Sequence, residues 1–142
     1  MTDAGTTGGT TTSTVGVWPA FQYADAPAAI AFLVDVLGFT ESVRFADGDT
    51  VHHAELRGPA GGGVMLGTRR DGSPLSEMPP ASGAAYLFCP DPDELYARAR
   101  RAGARIVREL EDTDYGSREF AVADPEGVVW SVGTYAGHGH GG

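Results

Sequence analysis

Between residues 15 and 135 apolar and polar positions mostly alternate, and the alternation gives way twice to a helical period. Val15–Tyr23 reads as a strand. The turn Asp25-Ala26-Pro27 leads into Pro27–Leu37, where Ala29, Phe32, Leu33 and Val36 share one helical face. Gly38 follows, the residue type that suits a left-handed helix stop. Strands are predicted at Thr40–Phe45, Thr50–Arg57 and Gly63–Thr68, separated by the turns Asp47-Gly48-Asp49 and Gly58–Gly62. The second half repeats this order. It has a strand at Ala84–Cys89, a turn at Pro90-Asp91-Pro92, and a helix at Asp93–Ala102 with Leu95, Ala99 and Ala102 on one face, ending at Gly103. Strands follow at Arg105–Leu110, Ser117–Ala123 and Val128–Tyr135, the last two joined by Asp124-Pro125-Glu126-Gly127. Each half reads strand, helix, strand, strand, strand. The pattern predicts an α+β fold: one domain over 15–135, made of two βαβββ units at 15–68 and 83–135. A Pro/Gly/Ser-rich linker joins them over 69–82. The Thr/Gly-rich residues 1–14 and the Gly/His-rich residues 136–142 read as disordered tails.

Composition narrows the chemistry. Among 142 residues, 19 are Asp or Glu and 10 are Arg, for a net charge of −9. Nucleic acid and anionic membrane surfaces are therefore not expected partners, since both require basic patches. The chain has no Lys, which excludes a lysine Schiff base, a P-loop lysine and a lysine general base. The single Cys89, in an apolar run, rules out an internal disulfide and reads as a buried, inert thiol. No segment approaches the roughly 20 apolar residues of a membrane helix, and no basic–apolar leader pattern opens the chain. A cytoplasmic location is expected.

The duplicated units carry two further signals, Asp25-Ala26-Pro27-Ala28-Ala29-Ile30-Ala31-Phe32-Leu33 running into Val36-Leu37-Gly38-Phe39, and the closing Asp124-Pro125-Glu126-Gly127-Val128-Val129-Trp130. In these the chain resembles the vicinal oxygen chelate superfamily, and within it the small glyoxalase/bleomycin-resistance branch. The resemblance implies a cup-shaped cavity lined by two sheets, and a homodimer. The superfamily's enzymes hold a divalent metal in the cup. Carried onto this chain, the four ligand positions fall on Trp18, Glu55, Ala84 and Ser131. Only Glu55 offers a good donor to a divalent ion. His52 and His53 are adjacent on a strand and are expected to point to opposite faces.

Strand alternation from these anchors fills the cup with Trp18, Gln22, His53, Glu55, Arg57, Tyr86, Phe88 and Ser131, with Met65 as a further candidate. Tyr115 and Arg118, in Asp114-Tyr115-Gly116-Ser117-Arg118-Glu119-Phe120, are candidate rim residues. An Arg118–Glu119 surface pair is the plainer reading of that segment. Aromatic walls with a few polar groups suit a planar or amphipathic small molecule, and Glu55 with the net acidity favours a cationic one. His53 and Glu55, two apart on one strand, could form an acid–base pair and are the candidate catalytic residues. The expected function is a metal-free small-molecule-binding protein that sequesters an aromatic or cationic antibiotic-like ligand and needs no cofactor. The alternative is a glyoxalase-like lyase or isomerase, or a dioxygenase, using a divalent metal.

Overall fold

A computed structural model describes residues 17–72 and 83–137. The expected tail at 1–14, residues 73–82 of the linker and residues 138–142 lie outside the described residues. Within them the first unit comprises β1 (Ala20–Tyr23), α1 (Ala26–Asp35), β2 (Thr40–Asp47), β3 (Thr50–Arg57) and β4 (Gly63–Thr68). The second comprises β5 (Ala84–Phe88), α2 (Pro92–Arg101), β6 (Arg105–Asp112), β7 (Arg118–Ala123) and β8 (Val129–Gly133). Each unit forms a four-stranded mixed sheet, ordered β1-β4-β3-β2 and β5-β8-β7-β6. In each the first strand pairs in parallel with the last, and the other pairings are antiparallel. The fold is thus the predicted α+β duplication.

The helices start and stop where their sequences require. The Asp25 carboxylate accepts the Ala28 amide at 3.1 Å, capping α1, and proline occupies the first turn of both helices. Gly38 and Gly103 adopt φ of 82° and 72°, a left-handed conformation that glycine adopts without steric cost. Helix α1 buries Ala26, Ala29, Ile30 and Leu33. Helix α2 buries Leu95 and Ala99, but Ala102 is exposed, because the helix has ended and Ala102 caps it.

Each sheet turns one face into a single shared core. Trp130 of β8 packs against Phe21 and Phe39 of the first unit, with ring centroids 5.8 and 5.7 Å apart. Below it lies the buried Asp124, 4% exposed. Its carboxylate accepts from the Tyr23 hydroxyl at 2.6 Å, the Trp130 indole at 3.2 Å, and the Glu126 and Val128 amides. Burial and this carboxylate hold the Tyr23 phenol protonated, its pKa pushed far up. Glu126 reaches back to accept the Ala24 and Asp25 amides at 2.8 and 2.7 Å. The turn before β8 therefore binds the unit carrying β1 through three charge-assisted hydrogen bonds, while three more from Trp130, Glu126 and Val128 fix the Asp124 carboxylate within its own unit. Cys89 is buried, as its apolar setting predicts, and burial raises its thiol pKa.

Candidate functional site

Because both sheets bury one face in the common core, alternation delivers the remaining side chains to two open faces. On the first sheet Glu55 stands opposite Met65, which stands opposite Ala20, so β3, β4 and β1 present these residues in one row. His53 Nε2 lies 2.8 Å from Glu55 Oε2, and the His53 ring stacks on Phe45 at 6.4 Å. The Arg57 guanidinium sits 5.0 Å from the centre of the Trp18 ring. Gly63 admits that tryptophan: a Cβ there would fall 2.6 Å from Trp18 Cζ3. The first-sheet candidates Trp18, His53, Glu55 and Arg57 are thus brought together.

One expectation about this face is corrected. His52 and His53 do not point to opposite faces. In the β2–β3 pairing Phe45 opposes His53 and Ala46 opposes Val51, which leaves His52 as an extra, bulged residue. Both histidines consequently line one pocket of about 200 Å³ with Gln22 and Met65. His52 Nε2 contacts the Asp47 carboxylate at 2.9 Å.

The second sheet holds the larger cleft, about 560 Å³, floored by Ala84, Tyr86 and Ser131. Its walls are Arg108, Tyr115, Glu119 and Tyr135. Phe88 lies beside it, in a hollow of about 300 Å³ that shares Tyr86 and Tyr135 and abuts Ala60 and Gly61. At the centre is Glu119, only 4% exposed. Its Oε1 accepts from the Arg108 guanidinium and the Tyr115 hydroxyl, each at 2.7 Å. Burial by itself would raise the Glu119 pKa, but the hydrogen bonds from Arg108, Tyr115 and Ser117 outweigh it and hold the carboxyl below its ordinary value. The Tyr115 pKa is raised, chiefly because its proton bonds that carboxylate. The Tyr86 hydroxyl donates to the Tyr135 carbonyl at 2.7 Å, and burial leads the causes that raise its pKa. The Tyr115 and Tyr135 rings meet edge to face, 6.2 Å apart.

Arg118 is not at this cleft. β7 turns Phe120 and Val122 into the core, and Arg118 shares their side of the strand. There it bonds Asp93 at the start of α2 at 2.7 Å and Asp112 at 3.1 Å. The Arg118–Glu119 surface pair does not form, since the two residues leave the strand on opposite faces. Sequence reasoning missed Arg108 and Tyr135 as cleft residues and placed Glu119 only within the polar-aromatic rim segment, with Asp114, Tyr115 and Arg118. Glu119 had a signal: it precedes Phe120 and alternates with the apolar Phe120 and Val122, which places it on the open face. Arg108 had none. Ile106 opposes Val122 but Arg108 opposes Ala121, so an irregularity at Val107 turns Arg108 onto the open face.

The four positions that the resemblance assigns to metal ligands do not fit a metal. Ala84 has no donor atom, Trp18 has no lone pair for a cation, Ser131 is a neutral hydroxyl, and the Glu55 carboxylate already binds His53. Among the described residues no group of three or more His, Cys, Asp and Glu side chains converges. No helix of the described residues is long and apolar enough to cross a membrane.

Comparison with known proteins places this architecture. An uncharacterized protein of Mycobacterium bovis is 32% identical over 123 residues, covering 77% of this chain and 76% of its own. The crystal structure of TioX from Micromonospora sp. ML1 superposes with a TM-score of 0.67 at 32% identity, over 83% of this chain and 98% of that one. TnmS3 of Streptomyces sp. CB03234, described as an antibiotic binding protein, gives 0.64 at 24% identity, over 85% and 94%. The family model of the Glyoxalase/Bleomycin resistance protein/Dioxygenase superfamily matches residues 17–132, and the chain belongs to that superfamily.

Proposed function

We propose that this chain binds a planar aromatic small molecule in the second-sheet cleft and holds it without transforming it. The observation that carries this reading is the cleft itself. Its volume of about 560 Å³ suits a drug-sized ligand, and three tyrosines and an Arg–Glu pair fixed by hydrogen bonds line it. Aromatic walls bury flat ligands well, each ring contact adding on the order of 0.5–1.5 kcal/mol beyond its area. The antibiotic-binding description of TnmS3, which shares the fold, is consistent with sequestration. In this reading the protein works in the cytoplasm as a homodimer and needs no metal, because three of the four superfamily ligand positions lack a suitable donor.

A second reading has one specific observation behind it, the 2.8 Å contact of His53 with Glu55. That pair could move a proton on a ligand bound at the first sheet. Calorimetric titration with the tricyclic dye proflavine, beside elemental analysis of protein incubated with Ni²⁺, Zn²⁺, Fe²⁺ and Mn²⁺, separates the two. Binding expects saturable heat and no stoichiometric metal; a tightly held metal lost on Glu55→Ala supports the enzyme instead. Within the binding reading, Tyr115→Ala is expected to weaken the dye about tenfold through loss of ring contact and a hydroxyl. Arg118→Ala, on the far side of β7, is expected to leave its affinity unchanged.

A further inference from the structure

The hydrogen bonds that build the cleft also fix which polar groups remain for a ligand. A tyrosine hydroxyl has one proton to donate and two lone pairs to accept with. Tyr115 spends its proton on Glu119 Oε1 and Tyr86 spends its proton on the Tyr135 carbonyl, both at 2.7 Å. Neither partner can donate back: one is a carboxylate held ionised by Arg108, the other a backbone carbonyl. Both hydroxyls are therefore donors toward the protein, and with the Ser117 hydroxyl beside Tyr86 and the Thr113 hydroxyl beside Tyr115 each keeps one lone pair for a ligand. The Arg108 guanidinium gives two of its five N–H groups to carboxylates, Glu111 at 3.0 Å and Glu119 at 2.7 Å, which offset its charge. Within the lining the Arg108 and Glu119 charges balance, and Glu111 beside them adds a negative charge at the edge.

We propose that Tyr86 and Tyr115 determine ligand specificity, presenting acceptor oxygens that select a planar aromatic molecule whose edge carries ammonium, N–H or O–H donors over one that carries only acceptors or an anionic group. The proposal rests on the cleft being the binding site and adds the chemistry of what it takes. An acceptor-edged ligand would bring its lone pairs against the two phenol oxygens and leave them unpaired on burial, the arrangement that costs most in discrimination. The same geometry gives Glu119 a positioning role. It holds Arg108 and the Tyr115 hydroxyl, so the ring and its oxygen are set before a ligand arrives.

Two tricyclic probes of similar size test this by calorimetry on the full chain: proflavine, a cation edged with amines, and anthraquinone-2-sulfonate, an anion with acceptors only. The unmodified protein is expected to bind proflavine at least about tenfold more tightly. Because the whole chain is acidic, the charge-neutral variants Tyr86→Phe and Tyr115→Phe decide the matter. Each keeps its ring and loses one acceptor, and each is expected to weaken proflavine by about threefold to tenfold while leaving the sulfonate within about twofold. Melting temperatures of the variants check that they fold. Tighter binding of the sulfonate, equal loss for both probes, or a proflavine affinity unchanged or raised in both variants overturns the proposal while the cleft remains a binding site. Binding of neither probe removes the cleft reading itself, and this proposal with it.

Discussion

Replacing Asp124 with alanine is expected to destabilise the chain by about 3–5 kcal/mol. The side chain is buried, and four donors converge on it: the Tyr23 hydroxyl, the Trp130 indole and the Glu126 and Val128 amides. Alanine leaves the Tyr23 and Trp130 groups buried without an acceptor, and each such loss costs about 1–3 kcal/mol. Two units are affected at once, because Tyr23 belongs to β1 and Trp130 to β8. Asp124→Asn, which keeps one acceptor oxygen and the shape, is expected to lose clearly less. Urea denaturation reads both. A lower midpoint at unchanged slope is the expected result for alanine. A loss below about 1 kcal/mol would mean that the units are held by apolar packing around Trp130 and by the Glu126 hydrogen bonds, with Asp124 adding little.

Gly133→Ala is expected to abolish dye binding more completely than loss of any single cleft side chain. A Cβ at Gly133 would overlap Glu119 Cγ and lie 2.9 Å from Tyr86 Oη. Neither neighbour can withdraw freely. Glu119 is buried and holds Arg108 and Tyr115, and Tyr86 is bonded to the Tyr135 carbonyl. One methyl group therefore displaces the carboxylate that organises the wall, at a stability cost of about 1–3 kcal/mol from overpacking. Proflavine affinity is expected to fall by well over tenfold while a cooperative unfolding transition remains, since Gly133 lies at the end of β8. Wild-type affinity in this variant would place the ligand elsewhere. The contrast with Tyr115→Ala is informative: that change removes a contact, whereas Gly133→Ala disorders the set.

The duplicated architecture was legible because its signals are local. Period-two alternation in β3 and β5 put His53, Glu55 and Arg57 on one side of their strand and Tyr86 and Phe88 on one side of theirs, but joined the two sets in a single cup, whereas His53 and Tyr86 line separate pockets on separate sheets. The glycines after both helices and the Asp25 cap were equally readable. Legibility failed where one extra residue shifts the alternation. The bulge at His52 brings two adjacent histidines to one pocket, and the irregularity at Val107 sends Arg108 to the cleft. No residue type marks either position in the sequence. Long-range pairing was the other hidden element. The Asp124 carboxylate and the Tyr23 hydroxyl meet from 101 positions apart, and nothing in Asp124-Pro125-Glu126-Gly127 distinguishes a buried acceptor from an exposed turn residue. The rim segment was recognised as polar and aromatic, but only the β7 register separates Glu119, which organises the site, from Arg118, which fastens α2 to β6.

Backbone amide chemical shifts, followed as proflavine is titrated into the full chain, test the central claim most directly. The account predicts saturable perturbations that cluster at Tyr86, Tyr115, Glu119, Ser131 and Tyr135 and vanish in Gly133→Ala. Perturbations confined to the His53–Glu55 face, or none at saturating dye, would contradict it.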